Sequence, residues 1–209
     1  MIELINVTKK FENKNTIVFP NKIIINSGEM VAVIGKSGIG KTTLLNIIGL
    51  LDRKESGSYF LNKQDTKLLT EKEVSTLRNK SIGFVFQDFK LIDDLTPKQN
   101  ILLPRRIGKM KSDGDFEKLI EIFQLRSLLD NSISELSGGQ KQRVAFARAM
   151  IMSPSIILAD EPTGSLDSNN ALIMLDYLKQ LNKMGTTIIT VTHDKDIALQ
   201  HNKIIQLGD

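Results

Sequence analysis

Short apolar runs recur along the chain and are separated by polar or amphipathic stretches. Runs of this length, rich in β-branched residues and bounded by turn residues, are typical of buried strands. They predict strands at about 1–7, 16–25, 30–34, 58–62, 82–86, 156–159, 187–191 and 204–207. Apolar residues at helical spacing predict helices at about 41–49, 97–103, 116–123, 139–152, 169–183 and 194–199. Strands that alternate with helices indicate an α/β fold with a parallel sheet covered on both faces.

One long segment interrupts this alternation. Residues 89–152 contain no clear strand pattern, so we expect a helical lobe inserted into an α/β core. A chain of 209 residues suits a single domain. We therefore predict one domain over 1–209, with a core of about 1–88 and 153–209 and a helical subdomain of about 89–152.

Composition narrows the class of protein. Hydrophobic residues make up 41% and charged residues 25% of the chain, as in ordinary globular proteins. No apolar stretch approaches the roughly 20 residues that cross a bilayer, and the N-terminus lacks a signal-peptide pattern, so membrane attachment is expected only through a partner. The absence of cysteine excludes disulfides, thiolate metal sites and cysteine nucleophiles. The net charge of +4 suits polyanions, anionic headgroups or nucleotide phosphates, and equally suits general surface charge.

The strongest local motif follows the apolar run 30–34. It reads Gly35-Lys36-Ser37-Gly38-Ile39-Gly40-Lys41-Thr42 and precedes a predicted helix. Glycines at these spacings let successive backbone N–H groups surround phosphate oxygens at a helix N-terminus. Lys41 would then reach the β- and γ-phosphates, and the Thr42 hydroxyl would bind Mg²⁺. A glycine turn that only joined strand to helix would not require this Lys-Thr pair.

Two acidic residues end the apolar run 156–159. Asp160 and Glu161 fall at the carboxyl end of a predicted buried strand, the edge at which open α/β sheets bind ligands. Asp160 is suited to hold Mg²⁺, directly or through water, and Glu161 to take a proton from an attacking water. Such a pair can also be the solvated start of a loop; the phosphate loop favours the functional interpretation.

A third motif opens the predicted helix 139–152. Leu136-Ser137-Gly138-Gly139-Gln140 places Ser137 and Gln140 at capping-box spacing, which predicts a well-capped helix. A helix start with two glycines and a hydroxyl is also a site for anions such as a γ-phosphate. Both interpretations can hold together.

In this order, the phosphate loop, the Leu-Ser-Gly-Gly-Gln signature and Asp-Glu-Pro-Thr-Gly-Ser-Leu-Asp (160–167) resemble the ATP-binding cassette of ABC transporters. The resemblance spans essentially the whole chain. It implies a RecA-like parallel-sheet core, a small antiparallel β subdomain and the inserted helical subdomain. It also implies hydrolysis of Mg-ATP, and a homodimer formed head to tail on ATP, in which each signature faces the other chain's phosphate loop. The expected partner is an integral membrane permease that holds the chain at the cytoplasmic face of the cell membrane; no nucleic-acid partner is expected.

The resemblance assigns roles to further residues. Gln87 matches a glutamine that senses Mg²⁺ and the nucleophilic water, His193 the switch histidine, Asp167 an acid that links the paired sites, and Phe11 an aromatic stacked on adenine. The residues expected to hold the nucleotide are Phe11, Gly35, Lys36, Ser37, Gly38, Ile39, Gly40, Lys41, Thr42, Thr43, Ser137, Gly138, Gly139, Gln140 and Asp167. Catalytic roles fall on Glu161, His193, Gln87 and Lys41, and metal ligation on Thr42, Gln87 and Asp160.

The segments 46–53, 82–87 and 95–100 are similar to one branch of the family: exporters of macrolides and antimicrobial peptides, lipoprotein-releasing ATPases and the cell-division ABC ATPase. Phe11 in place of Tyr, and Ser165 where the branch often has Asn, are small departures. The chain lacks the long coiled-coil insertion of DNA-repair ABC ATPases and the second cassette usual in translation factors. A non-transporting complex that controls cell-wall hydrolysis, and a cytosolic ABC ATPase, stay as alternatives. Nothing in the sequence specifies the cargo.

Two surface assignments are open at this point. Apolar residues of the segments 86–95 and 101–107, such as Phe89, Leu91 and Ile92, are expected either to meet the membrane partner or to form core of the helical lobe. The basic residues Arg105, Arg106, Lys109 and Lys111 are expected either to approach anionic headgroups or to face water.

Overall fold

Ten strands form two sheets in the computed structural model, which describes residues 1–11, 16–109, 116–164 and 168–208. The strands are β1 Ile2–Lys10, β2 Thr16–Val18, β3 Lys22–Ile25, β4 Met30–Gly35, β5 Ser56–Leu61, β6 Gln64–Asp65, β7 Ile82–Val85, β8 Ile156–Asp160, β9 Thr187–Val191 and β10 Lys203–Leu207. The helices are α1 Lys41–Ile48, α2 Glu71–Ser81, α3 Pro97–Ile107, α4 Phe116–Ile122, α5 Gly138–Met150, α6 Ser168–Lys183 and α7 Lys195–Ala198.

The larger structural unit is a parallel sheet in the order β10-β4-β9-β8-β7. Every residue of β8 and β9 is buried, because helices and the second sheet cover both faces of these central strands. The register pairs Asp160 with Val191 and Val85 with Ala159. The carboxyl ends of the strands therefore meet at one edge of the sheet.

Side-chain alternation along β8 divides the interior into two cores. Ile156 and Leu158 point to a core that contains α1 and the antiparallel sheet, whereas Ile157 and Ala159 point to a core that contains α3, α4, α5 and α6. Between β7 and β8, the described residues form helices α3 to α5 and short 3₁₀ turns, with no strand. No helix in the described part of the chain is long and apolar enough to cross a membrane. The predicted fold class is confirmed, including the antiparallel sheet beside a parallel core.

The single strand predicted over 16–25 is wrong. The structure has two short strands, β2 and β3, both antiparallel to β1, with Phe19, Pro20 and Asn21 between them. The β1–β5 register also shifts between Ile5 and Thr8, where Asn6 has a φ of 49°. A bulge of this kind bends the strand, and Pro20 has no N–H to continue the ladder.

Helix α2 was not predicted, and one basic residue was misplaced. Helix α2 begins with a capping box between Thr70 and Glu73 but has no fully buried residue, so its apolar pattern is too sparse to predict a helix.

Arg105 is only 5% exposed and its Nε donates to the Ile151 carbonyl at 3.1 Å. It therefore does not belong to a basic surface patch; Arg106 and Lys109 are exposed, and Lys111 lies outside the described residues.

The apolar residues of segment 86–95 divide between the two expected settings. Phe89 is half-buried, and Leu91 is half-buried against the core that contains α3 to α6. Ile92 is 42% exposed. Leu91 therefore contributes to the helical core, and Ile92 is the member of the three most accessible to a partner.

A buried tyrosine joins the antiparallel sheet to α1. The Tyr59 hydroxyl on β5 donates to the Ile48 carbonyl at 2.6 Å, at the carboxyl end of α1, and burial raises the pKa of Tyr59. We expect Tyr59→Phe to lower the free energy of unfolding by about 1–3 kcal/mol, because the Ile48 carbonyl then stays buried without its donor. Denaturant unfolding of the two proteins measures this difference; equal midpoints would contradict it. Tyr177→Phe, which removes a 2.6 Å bond to the Ile122 carbonyl at a half-buried site, is the matched control and should cost less.

Candidate active site

An open cleft of about 520 Å³ lies where α1 meets the carboxyl ends of the parallel strands. It brings together three groups of residues that the sequence separates widely: the phosphate loop, Gln87 shortly after β7, and the acids Asp160 and Glu161 at the end of β8. Its lining residues are Phe11, Ile17, Ser37, Gly38, Gly40, Lys41, Thr42, Thr43, Gln87, Asp160, Glu161 and Val191.

The phosphate loop has the backbone that its glycines predict. Gly38 and Gly40 have φ values of 78° and 106°, which side-chain-bearing residues rarely adopt. A Cβ at Gly40 would also lie 2.7 Å from Ile17 Cδ1. No side chain caps α1 and its first turn carries no acidic residue, so its N-terminal N–H groups and positive dipole end are open to an anion.

Lys41 lies over this loop. Its Nζ donates to the carbonyl of Gly35 at 2.9 Å and to the carbonyl of Lys36 at 3.1 Å. Gly35, Lys36 and Ile39 do not line the cleft themselves. They form the back of the loop, where Ile39 N–H donates to the Lys36 carbonyl at 3.3 Å. The ammonium is thus held in place by backbone oxygens before any phosphate arrives.

Asp160 is the most buried acid of the cleft, with 8% of its surface exposed. Burial raises its pKa and the charges of Glu161 and Asp88 act in the same direction, whereas a hydrogen bond from Thr42 and the charge of Lys41 oppose the rise. Its Oδ1 is buried without a hydrogen-bond partner among the described residues. This oxygen can therefore accept a cation or a further hydrogen-bond donor.

The oxygen donors around Asp160 fit a magnesium ion. Thr42 contributes a hydroxyl, Gln87 an amide oxygen and Asp160 the unpaired carboxylate oxygen, all of the hard type that Mg²⁺ prefers. The described residues contain no cluster of three or more His, Cys, Asp or Glu that could enclose a metal. A sparse protein shell is the usual setting for Mg²⁺, which keeps several waters and substrate phosphates as ligands.

Glu161 is held in an unusual backbone conformation. Its φ is 45°, in the left-handed region, where a non-glycine residue costs about 1–3 kcal/mol and persists only if its surroundings fix it. Its N–H donates to the Val191 carbonyl at 2.9 Å, and its carbonyl accepts from Gly164 N–H at 3.0 Å. Its carboxylate Oε1 lies 2.9 Å from His193 Nδ1. His193 does not line the cleft but a neighbouring cavity that also includes Thr163 and Thr192.

Gln87 follows β7 on a loop that α5 holds. In this loop, the successive residues Phe89 and Lys90 have φ values of 61° and 47°. The Arg148 guanidinium donates to both of their carbonyls, at 2.6 Å and 2.5 Å, and burial lowers the pKa of Arg148 to about 10. Two left-handed residues in succession are therefore fixed by one side chain of the helix that the signature begins.

The signature itself lies away from the cleft. Ser137 caps α5: its Oγ accepts from Gln140 N–H at 3.3 Å, and Gln140 Oε1 accepts from Ser137 N–H at 2.8 Å. Ser137, Gly138, Gly139 and Gln140 do not line the cleft of their own chain. Asp167 lies outside the described residues.

Three apolar residues line the cleft. The predicted Phe11 is 37% exposed, with Lys9 Nζ 6.0 Å from its ring centroid. The other two, Ile17 against Gly40 and Val191 at the end of β9, were not predicted as site residues. Both residues were assigned only to strands, and no short motif marks either position.

The raised pKa of Asp160 gives a prediction with opposite effects on stability and activity. Below the carboxyl's ordinary pKa near 3.8, Asp160 is neutral in both folded and unfolded chains; as pH rises through the higher folded value, the fold loses stability. We expect Asp160→Asn at neutral pH to raise the Tm of the ligand-free protein by roughly 2–4 °C. The same change should abolish Mg²⁺-dependent ATPase activity. Calorimetry with and without Mg-ATP tests both; an unchanged Tm at neutral pH, or a gain that persists at about pH 3, would contradict the account.

Comparison with known proteins identifies the family. The sequence pattern described as ABC transporter matches residues 20–164. The uncharacterized ABC transporter ATP-binding protein YknY of Bacillus subtilis is 43% identical over all of this chain and 94% of its own. The bacitracin export ATP-binding protein BceA of Halalkalibacterium halodurans is 41% identical, with 100% and 85% covered. The macrolide export ATP-binding/permease protein MacB of Mannheimia succiniciproducens is 45% identical, but this chain spans only 33% of it.

The fold has an equally close counterpart. The ATP-binding cassette MJ0796, solved as a dimer in a post-hydrolysis state with ADP and Pi, superposes with a TM-score of 0.90 at 38% identity. The match covers 99% of this chain and 94% of that one. Family pattern, relatives and fold agree with the order of motifs around the cleft. The chain belongs to the ABC transporter family, as an ATP-binding cassette and ATPase of the branch that includes MacB, BceA and YknY.

Proposed function

We propose that this chain binds Mg-ATP, closes head to tail on a second copy and thereby drives a separate integral membrane permease. One observation carries the proposal: the cleft gathers the phosphate loop, Gln87, Asp160 and Glu161, whereas the signature Ser137–Gln140 stays outside it. The open side of the cleft would be closed by the signature of another copy. The MJ0796 cassette, which was solved as a dimer, supports pairing with a second copy.

The cleft has an apolar part that suits the base of a nucleotide and a polar part that suits its phosphates. Phe11 offers a ring face to adenine, with Ile17 beside it as apolar contact. The N–H groups from Ser37 to Thr43 and the dipole of α1 face the phosphates. Lys41 would exchange the Gly35 and Lys36 carbonyls for β- and γ-phosphate oxygens. Thr42, Gln87 and Asp160 would hold Mg²⁺, which supplies charge neutralisation at the phosphates.

Glu161, the residue directly after β8, is the proposed general base for hydrolysis. It would orient the attacking water and take its proton, next to the phosphate end of the cleft. The 2.9 Å contact with His193 orients the Glu161 carboxylate, and the exposed imidazole is free to turn toward the γ-phosphate. On closure, Ser137 and the N-terminal N–H groups of α5 would add donors from the second chain. Asp167 is proposed to link the two sites.

We further propose that the chain serves an exporter of antimicrobial peptides, macrolides or lipoprotein-type cargo. Relatives named for macrolide and bacitracin export support the first two classes of cargo. YknY and BceA, of whose lengths this chain covers 94% and 85%, are named as ATP-binding proteins, whereas MacB is named as an ATP-binding/permease protein. By analogy with YknY and BceA, we infer that the chain acts with a separate permease, which holds it at the cytoplasmic face of the membrane. The helical subdomain 89–152, set between core segments 1–88 and 153–209, would carry the motion.

Co-purification tests this proposal. Tagged Glu161→Gln protein, extracted in detergent with ATP, should retain a permease that mass spectrometry identifies, and a permease with a large extracytoplasmic domain would specify the branch. The Lys41→Ala protein under the same conditions is the control for nucleotide dependence. Repeated recovery of soluble partners alone would refute the membrane role and favour a cytosolic ABC ATPase. Recovery of a permease bound to a cell-wall hydrolase would favour the alternative of a non-transporting complex that controls cell-wall hydrolysis.

A further inference from the structure

Gln142 is a buried polar side chain to which the nucleotide site gives no role. It lies on α5, is 1% exposed, and its Nε2 donates to the Pro162 carbonyl at 3.0 Å. Its Oε1 is buried without a partner among the described residues. An amide kept in an apolar core with half of its hydrogen bonds unmade costs stability, so this one contact needs an explanation beyond packing.

The acceptor of this bond is the residue after Glu161. Pro162 continues directly from the left-handed Glu161, whose N–H and carbonyl are bound to Val191 and Gly164. The bond from Gln142 holds the carbonyl of the peptide between Pro162 and Thr163. Hydrogen bonds therefore restrain the backbone before and after Glu161. A left-handed residue relaxes unless its neighbours hold it. The amide of Gln142 therefore acts on the direction in which the Glu161 carboxylate points.

Helix α5 is rigid enough to serve as the support. Its residues 144–147 are fully buried. Its backbone also lies so close to β7 that a Cβ at Gly83 would be 2.4 Å from the Ala149 carbonyl oxygen. Ser137 caps the N-terminus of the same helix, five residues before Gln142 and about 7.5 Å from it along the helix axis. A shift of the signature end would thus reach Pro162 through one rigid element.

We propose that Gln142 is a positioning residue that couples the signature helix of a chain to the catalytic loop of the same chain. The inference rests on the proposed ATP-driven dimer: α5 contacts the second nucleotide site at its N-terminus and holds this chain's Glu161 in place through Pro162. Hydrolysis at one site thereby depends on how the signature is seated at the other.

The test compares Gln142→Met with Asn79→Leu. Both remove an amide that donates to a proline carbonyl, at 3.0 Å to Pro162 and at 3.1 Å from Asn79 Nδ2 to Pro104. We expect Gln142→Met to lower kcat about tenfold or more while KM for ATP stays within about twofold, because misplacing a base by a fraction of an ångström slows chemistry without changing phosphate contacts. Asn79→Leu should leave kcat and KM unchanged. Equal kcat in wild type and Gln142→Met, or equal losses in both variants, would overturn the proposal.

A dimerisation measurement distinguishes failure of the positioning role from failure of the proposed function. The double variant Glu161→Gln, Gln142→Met should still bind ATP and dimerise, and loss of its dimer would overturn the positioning role. Absence of an ATP-dependent dimer in Glu161→Gln alone would refute the proposed function instead.

If Gln142→Met does not fold, Gln142→Glu replaces it. Its kcat relative to wild type should be higher at about pH 6 than at about pH 8, since only the protonated carboxyl donates to Pro162. A ratio independent of pH would contradict the proposal.

Discussion

Replacing Glu161 with glutamine is expected to lower kcat for ATP hydrolysis by about a thousandfold while leaving ATP affinity within about twofold of wild type. The amide keeps the size of the side chain and accepts from His193 Nδ1 as the carboxylate oxygen does, so the left-handed loop is retained. Only the ability to take a proton from water is lost. Steady-state hydrolysis and binding of a fluorescent ATP analogue measure the two quantities.

The control for this variant is Glu121→Gln, which neutralises an exposed acid on α4 that does not line the cleft. Its kcat should equal that of wild type. A Glu161→Gln protein that binds ATP normally and hydrolyses it at the wild-type rate would remove Glu161 from the mechanism. Loss of binding in this variant would instead show that the carboxylate supports the nucleotide pocket.

Replacing Lys41 with alanine is expected to weaken ATP binding by at least about a hundredfold. Charge-assisted hydrogen bonds contribute about 1.5–3 kcal/mol each, and Lys41 is placed to make them with two phosphates. Isothermal titration with Mg-ATP measures the loss, and hydrolysis should fall below detection with it. The contacts of Lys41 with the Gly35 and Lys36 carbonyls are also lost, so thermal unfolding of the ligand-free variant reports any change in the loop.

Lys72→Ala is the matched control, because it removes the same charge from an exposed position on α2, a helix that does not line the cleft. Its ATP affinity should stay within about twofold of wild type, since an exposed charge away from the site acts only weakly through solvent. Equal affinities for Lys41→Ala and wild type would contradict the placement of the phosphates at the start of α1.

Sequence reasoning located the parts of the site that depend on local chemistry. The strand, glycine turn and helix around Lys41 are contiguous, and their backbone needs are written in the residues themselves, as Gly38 and Gly40 illustrate. The acids Asp160 and Glu161 at the end of β8 could be predicted equally well, because a fully buried strand has a clear apolar pattern. These two segments supply eight of the twelve residues that line the cleft.

What escaped prediction depends on contacts between distant segments. Ile17 reaches the cleft because β2 pairs with β1, and no local signal announces that pairing. Arg105 and Gln142 look like solvated helix residues in the sequence, yet each donates to a backbone carbonyl of another element and is buried there. Helix α2 lacked an apolar stripe, although its capping box at Thr70 was visible.

The left-handed Glu161 is a further feature that sequence reasoning could not supply. Glutamate has no preference for that region, so the conformation is imposed by the surrounding hydrogen bonds. The bond between Glu161 and His193 likewise joins two strand ends that are 32 residues apart. Both features orient the residue on which the proposed chemistry depends.

The measurement that tests the central claim most directly is the solution mass of Glu161→Gln protein by size-exclusion chromatography with light scattering, with ATP and with ADP. The account predicts twice the 23.4 kDa chain mass with ATP and a single chain mass with ADP. Adding Ser137→Arg, which places a bulky charge at the N-cap of α5, should keep the ATP-bound protein monomeric. A protein that is saturated with ATP and still runs as a single chain would contradict a nucleotide site completed by a second copy.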